Sequence, residues 1–132
     1  MNQTDPVVYI AGLGVISAIG NNVNECLHSL EHLEPGMRDI SMLDTIHRGQ
    51  LPVAEVKLSN KELADLGSVS DLFPRTALLS HVAAKEALAD AGIAPGPALR
   101  CGFISANTTG GMDLSENFFS DFRQDPASGH LR

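Results

Sequence analysis

The stretch from Arg75 to Ala91 carries alanine where most amphipathic helices carry leucine. Ala77, Ala84, Ala87, Leu88 and Ala91 share one stripe at helical spacing, and Leu78, Val82 and Ala83 widen it. Small side chains on a buried stripe let a neighbouring backbone come close. This helix therefore needs a tightly packed helix or sheet beside it. Gly92 is a good C′ residue, and Pro95 and Pro97 prevent continuation. Two apolar runs stand out elsewhere in the chain. Val7-Val8-Tyr9-Ile10-Ala11 and Cys101-Gly102-Phe103-Ile104-Ser105-Ala106 both read as strands buried on both faces.

The rest of the chain fills in around that frame. Asn22, with Glu25 three residues on, resembles a capping box. Val23, Cys26, Leu27, Leu30 and Leu33 then recur at helical spacing until Pro35-Gly36. Residues 37–50 show no period and read as loop. Residues 53–58 alternate apolar and polar, which suits a half-exposed strand. Asn60 caps a short helix ending at Gly67, and Ser68 to Asp71 is a polar linker. After the second apolar run, Asn107 to Gly111 form a turn, and Leu114, Phe118, Phe119 and Phe122 mark an amphipathic helix. The tail from Gln124 to Arg132 is polar. The order of strand, helix, excursion, helix, strand, helix predicts an α/β fold with a layered sheet.

With 132 residues the chain has room for one domain, and 43% apolar against 19% charged residues is a globular composition. Sixteen acidic and nine basic residues leave a net charge of −7. Such a chain repels phosphate backbones, which argues against nucleic acid as a partner. The N-terminus has no positive region ahead of the apolar run. That run is glycine-punctuated and too short to cross a bilayer, so neither a secretory signal nor a membrane span is expected. Cys26 and Cys101 have neither metal-binding nor disulfide-framework spacing, and a reducing, cytoplasmic setting is the default.

The search for chemistry begins at Gly12-x-Gly14-x-x-Ser17, close to a dinucleotide fingerprint. The following helix starts too late, near Asn22, and no second strand ends in an acidic residue. A tight backbone bend is the plainer reading, though a small nucleotide-binding domain stays open as a rival. Cys26 sits on an apolar helical stripe. Cys101 opens a buried strand with no histidine beside it to lower its pKa. Both are therefore expected to be inert. His28 and His32 stand four apart on a helix, a possible metal pair without a third ligand, and a solvated helix face is the plainer reading. His81 reads as a packed histidine beside the alanine stripe, and His47 and His130 belong to no pattern. No catalytic constellation, metal site or cofactor site emerges. The best candidate for function is the turn Asn107, Thr108, Thr109, Gly110 and Gly111. It follows the end of a strand and opens a helix, where ligands of α/β sheets gather. A plain strand-to-helix turn is the alternative.

Several segments together resemble a known family. Val7 to Asn21, with Gly12-Leu13-Gly14-Val15-Ile16-Ser17, is similar to the opening of β-ketoacyl synthases. Arg75 with Ala83-Ala84-Lys85-Glu86-Ala87-Leu88-Ala89-Asp90-Ala91-Gly92-Ile93 resembles that family's long alanine-rich helix. Arg100 to Ala106 followed by Gly110-Gly111 resembles the strand leading into its glycine-rich turn, and Val53-Ala54-Glu55-Val56 sits where an Ala-Gly-x-Val segment is usual. The resemblance covers nearly the whole chain in the right order. Ala11, Ala18 and Asn107-Thr108-Thr109 depart from the usual Thr, Pro and Thr-Gly-x, which points to an outlying branch. The resemblance implies a thiolase-like α/β/α layered fold, of which residues 1–132 would be an incomplete N-terminal half. It implies a parent acyltransferase that condenses an acyl thioester with a malonyl unit on acyl carrier protein, without metal or nucleotide. Its partners would be the carrier protein and a second synthase subunit, the same or related. The acidic chain itself would repel an acidic carrier, so a basic patch would have to lie elsewhere. The catalytic Cys and two His would lie beyond residue 132, and residues 107–111 would line the acyl pocket. A non-catalytic chain-length-factor-like subunit is the alternative within the same resemblance.

Overall fold

The structure, a computed structural model, describes residues 7–94, 96 and 99–127. Four helices and two short strands run in the order α1 (Val23–Glu31), β1 (Met37–Asp39), β2 (Pro52–Ala54), α2 (Asn60–Gly67), α3 (Arg75–Asp90) and α4 (Met112–Gln124). Pro95, Pro97 and His130 lie outside the described residues.

Local chemistry explains where each helix begins. Asn22 caps α1 by accepting from the Glu25 amide at 2.9 Å. The Glu25 carboxylate answers by accepting from the Asn21 amide at 2.8 Å. The helix ends early because Leu33 turns left-handed at φ 55, which throws its side chain off the stripe and into solvent. α2 is capped by Ser59, one residue before the expected Asn60, in a reciprocal box with Glu62. Asn60 is used otherwise: its side-chain oxygen accepts from Arg75 at 3.0 Å. The same guanidinium donates to the carbonyls of Val56 and Leu58, tying the chain after β2 to the start of α3.

α3 occupies the expected span and ends at Gly92, which takes φ 65. Pro74 gives it no side-chain cap. Asp113, in the first turn of α4, supplies one by accepting from the Arg75 amide at 2.9 Å. Lys85 on α3 donates to the Leu66 carbonyl at 2.7 Å and so closes the last turn of α2. Between these two helices lies the core, Leu63, Ala64 and Leu78, with Ile16, Leu58, Val69, Leu79 and Val82 packed around it.

The alanine stripe of α3 has the close neighbour it demands. A Cβ on Gly14 would collide with the backbone of Ala83 and Ala87, and one on Gly12 with the backbone of Ala87 and Ala91. Two residues of chain thus advance one turn of helix, about 6 Å, so this segment is extended. Because Gly12 meets the end of α3 and Gly14 its middle, the segment runs antiparallel to the helix. Carboxylates of α3 hold it there. Asp90 accepts from the Leu13 amide, and Glu86 accepts from both Val15 and Val23, at 2.8–2.9 Å. Ser17 and Gly20 then close a tight turn by backbone hydrogen bonds.

Several expectations need correction. Residues 7–11 and 101–106 are not strands in any sheet, and no backbone hydrogen bond joins them to a described neighbour. They are exposed rather than buried: Ile10 is 87% and Ile104 95% accessible. Residues 7–11 run on past the end of α3, so the helix that covers Gly12 and Gly14 cannot cover them. The sheet that is present is elsewhere. β1 and β2 pair antiparallel, Arg38 opposite Val53, so part of the expected loop 37–50 is strand and the strand expected over 53–58 shrinks to Pro52–Ala54. α4 is amphipathic as expected, yet none of its residues is buried. In all the chain exposes 10619 Å², where a folded monomer of 14.0 kDa exposes about 6,700 Å².

Candidate functional site

The turn expected to matter borders a groove of ≈ 550 Å³ between the N-terminal half of α3 and residues 103–111. Val69, Phe73, Pro74, Ala77, Leu78 and Phe103 form its apolar walls. Thr76, Ser80, His81, Ser105 and Asn107 provide polar points, and Gly110 and Gly111 form one end. Of the five candidate residues, Asn107, Gly110 and Gly111 line the groove. Thr108 and Thr109 are exposed outside its lining.

The turn is built by specific residues. Gly111 takes φ 76 as the N-cap of α4, a left-handed conformation that favours glycine. The Asn107 side chain lies over Gly110, and a Cβ there would displace it. The Asp113 bond to the start of α3 fixes α4, and with it this end of the groove. Ser105 lies beside Ser80, their hydroxyl oxygens 3.4 Å apart. From Ser105 at Ser80 to Asp113 at Arg75, this segment also runs towards the N-terminus of α3.

The polar groups in the groove are engaged with each other rather than poised for nucleophilic attack. Ser105 donates to Ser80, and Ser80 donates to the Thr76 carbonyl at 2.9 Å. His81 places Nε2 3.1 Å from the Gly67 carbonyl. A carbonyl only accepts, so Nε2 carries the proton and is no base. The groove therefore offers apolar surface with hydroxyl and amide groups along it, which suits holding a largely apolar ligand.

Elsewhere the titratable candidates stay apart. Cys26 is buried, with its sulfur 3.3 Å from the Ser17 hydroxyl and 3.5 Å from the Gly20 carbonyl. Cys101 is exposed, which corrects its expected burial. The rings of His28 and His32 lie with centroids 4.1 Å apart and planes tilted by 33°, and His32 Nδ1 bonds the His28 carbonyl. Among the described residues no three His, Cys, Asp or Glu side chains gather as a metal site. The Gly12-Leu13-Gly14 segment offers no phosphate cradle: its Leu13 amide and the Val15 amide that follows it are taken by carboxylates, and the glycines face α3. Among the described residues no helix is long and apolar enough to cross a membrane.

Sequence reasoning missed most of the groove wall. Ala77, Ser80 and His81 recur at helical spacing, and Phe103 and Ser105 alternate; those two signals together mark the wall once their elements are known to touch. Comparison with protein-family models, with curated proteins and with solved structures found no match.

Proposed function

We propose that this chain is the N-terminal part of a condensing enzyme of the β-ketoacyl synthase type, with a thiolase-like α/β/α fold. The groove beside α3 would form part of its acyl pocket. The observation that carries the reading is the apolar groove ending at Asn107, Gly110 and Gly111. Further support comes from the way the resembling segments meet. Gly12 and Gly14 sit on Ala83, Ala87 and Ala91, so each motif's small residues serve the other.

In this reading the groove binds and orients an acyl chain, with Phe73, Ala77 and Phe103 against its methylenes and Ser105 and Asn107 near its polar end. Carbon–carbon bond formation belongs to a Cys and two His supplied beyond residue 132, with the malonyl unit delivered on acyl carrier protein. The parent would work as a dimer with the same or a related subunit.

Displacement of a fluorescent fatty-acid probe tests the groove directly. The chain should bind the probe, and Ala77→Trp, which fills the groove, should abolish binding without loss of helix content. Absence of binding by the unaltered chain would defeat the acyl assignment. The 132-residue chain by itself should give no condensation or malonyl decarboxylation with thioesters on carrier protein; turnover above a heat-killed control would overturn that part.

A further inference from the structure

We propose that His81 makes the groove selective for apolar ligands that carry a hydroxyl, an alcohol or a hydroxylated acyl chain, whose O–H donates to His81 Nδ1. The inference rests on the acyl reading of the groove and names the ligand class within it.

The ring is held at one edge and free at the other. Nε2 lies 3.1 Å from the Gly67 carbonyl and donates its proton there. A Cβ on Gly67 would meet Cδ2 of the ring at 2.9 Å, so the Cδ2–Nε2 edge rests against the end of α2. Nδ1 stands on the opposite edge. Among the described residues it has no hydrogen-bond partner. In a neutral ring with Nε2 protonated, Nδ1 can only accept. His81 is exposed and lines the groove. A lone pair at Nδ1 is therefore what the ring offers a ligand.

Its neighbours sharpen the choice. Ser80 directs its proton to the Thr76 carbonyl, and Ser105 directs its own to Ser80. Towards a ligand these two hydroxyls also accept. Ser105 sits at Ser80, the residue before His81, so the three acceptors gather at one end of the groove. Gly110 and Gly111 lie at the other, where Asp113 ties α4 to Arg75. The helix from Arg75 to His81 covers about 9 Å, with Ala77 and Leu78 as apolar wall between. An ether or ester oxygen brought to the acceptor end faces lone pairs with no proton between them. A hydroxyl supplies that proton.

Charge selects nothing here. None of the described lining residues is Lys, Arg, Asp or Glu. Lys85, one turn beyond His81, is turned to α2, where its ammonium donates to the Leu66 carbonyl and the Ser68 hydroxyl. Discrimination is left to hydrogen bonding, and the free capacity at this end is for a donor.

Two isomers that differ in the placing of one proton test this. Decanol and methyl nonyl ether contain the same atoms, but only the alcohol donates. In displacement of the fluorescent fatty-acid probe from the whole chain, decanol should bind about three- to tenfold tighter than the ether. His81→Phe keeps a ring without nitrogens and should bring the two isomers within about twofold of each other. Lys85→Met cuts a neighbouring tie to α2 and should leave the preference whole. Independently of any variant, nitrogen-15 spectra should show His81 Nδ1 moving upfield as decanol is added and staying still with the ether. Failure of the chain to bind the probe would bring down the acyl reading and this one together. A bound probe displaced equally by both isomers would overturn the hydroxyl preference alone. So would a preference that survives His81→Phe, one that vanishes with Lys85→Met, or an Nδ1 resonance indifferent to decanol.

Discussion

Glu55 shows how much structure one side chain can hold. Its carboxylate accepts from the Ser41 amide and hydroxyl, the Met42 and Leu43 amides, and Lys57. Those donors favour the ionised form, the Ser41 amide foremost, and hold its pKa far below the ordinary 4.5. The folded pKa is depressed, so the stabilisation is fully present above the unfolded value. It is lost only as pH falls through the folded one, deep in acid. Carboxyl-carbon NMR should find Glu55 still ionised at about pH 3, with the Ser41 and Met42 amide shifts unmoved. A midpoint near 4.5 would mean that the 41–43 loop is not held in this way. The two cysteines make a second pair of expectations. Exposed Cys101 should take iodoacetamide rapidly under native conditions and buried Cys26 only in denaturant, because its sulfur lies out of the reagent's reach. Equal native labelling of both would contradict the packing of Cys26 beneath Ser17 and Gly20.

At the scale of elements, α3 organises the chain: it supports the Gly12–Gly14 segment on one stretch, the groove on another and α2 beside its core residues. Gly14→Ala should therefore cost about 1–3 kcal/mol in a denaturant melt, because the new methyl meets backbone that cannot yield cheaply. Adding Ala83→Gly should not rescue it, since the obstacle is the Ala83 carbonyl and not its methyl; full rescue would refute the contact. Asp113→Ala removes the cap on α3, at a cost of about 0.5–2 kcal/mol, and should loosen α4 and its end of the groove. The parts of this arrangement readable from sequence were the local ones. Asn22, the span of α3 and the stop at Gly92 are set by residues within a turn of where they act. The strands were misplaced because apolar β-branched runs announce a preference but not a partner, and neither Val7–Ala11 nor Cys101–Ala106 finds one among the described residues. The β1–β2 hairpin was missed because strands of three residues carry no readable period. The turn at 107–111 was found from its glycines. The groove it borders was not, since it forms only when α3 and residues 103–105 meet across more than 20 positions of sequence.

For the whole molecule the governing fact is how little of the apolar surface is enclosed. Among the described residues the buried apolar ones are Cys26, Ile40, Leu63, Ala64 and Leu78, whereas Val7 to Ile10, Phe103, Ile104 and the Phe119 and Phe122 side of α4 lie in solvent. Cooperative unfolding requires that elements share a core, and among the described residues α2, α3 and the segments at Ile16, Leu58 and Val69 share one. Much of the rest is held by polar ties from a few side chains: Glu86 and Asp90 to residues 13–23, Asp113 to α3, and Glu55 to its loop. Such ties open individually at low cost. The dilute chain should therefore lose structure in stages, with residues 7–11 and 101–106 exchanging amide hydrogens first. Amides of α2 and α3 around Leu63 and Leu78 should exchange last, and the dye ANS should bind without any denaturant. Hydrogen exchange followed residue by residue makes the comparison. Amides of 101–106 as well protected as those of α3 would show that the chain encloses these runs itself, and the account of a molecule organised around α3 with two uncovered apolar segments would fall.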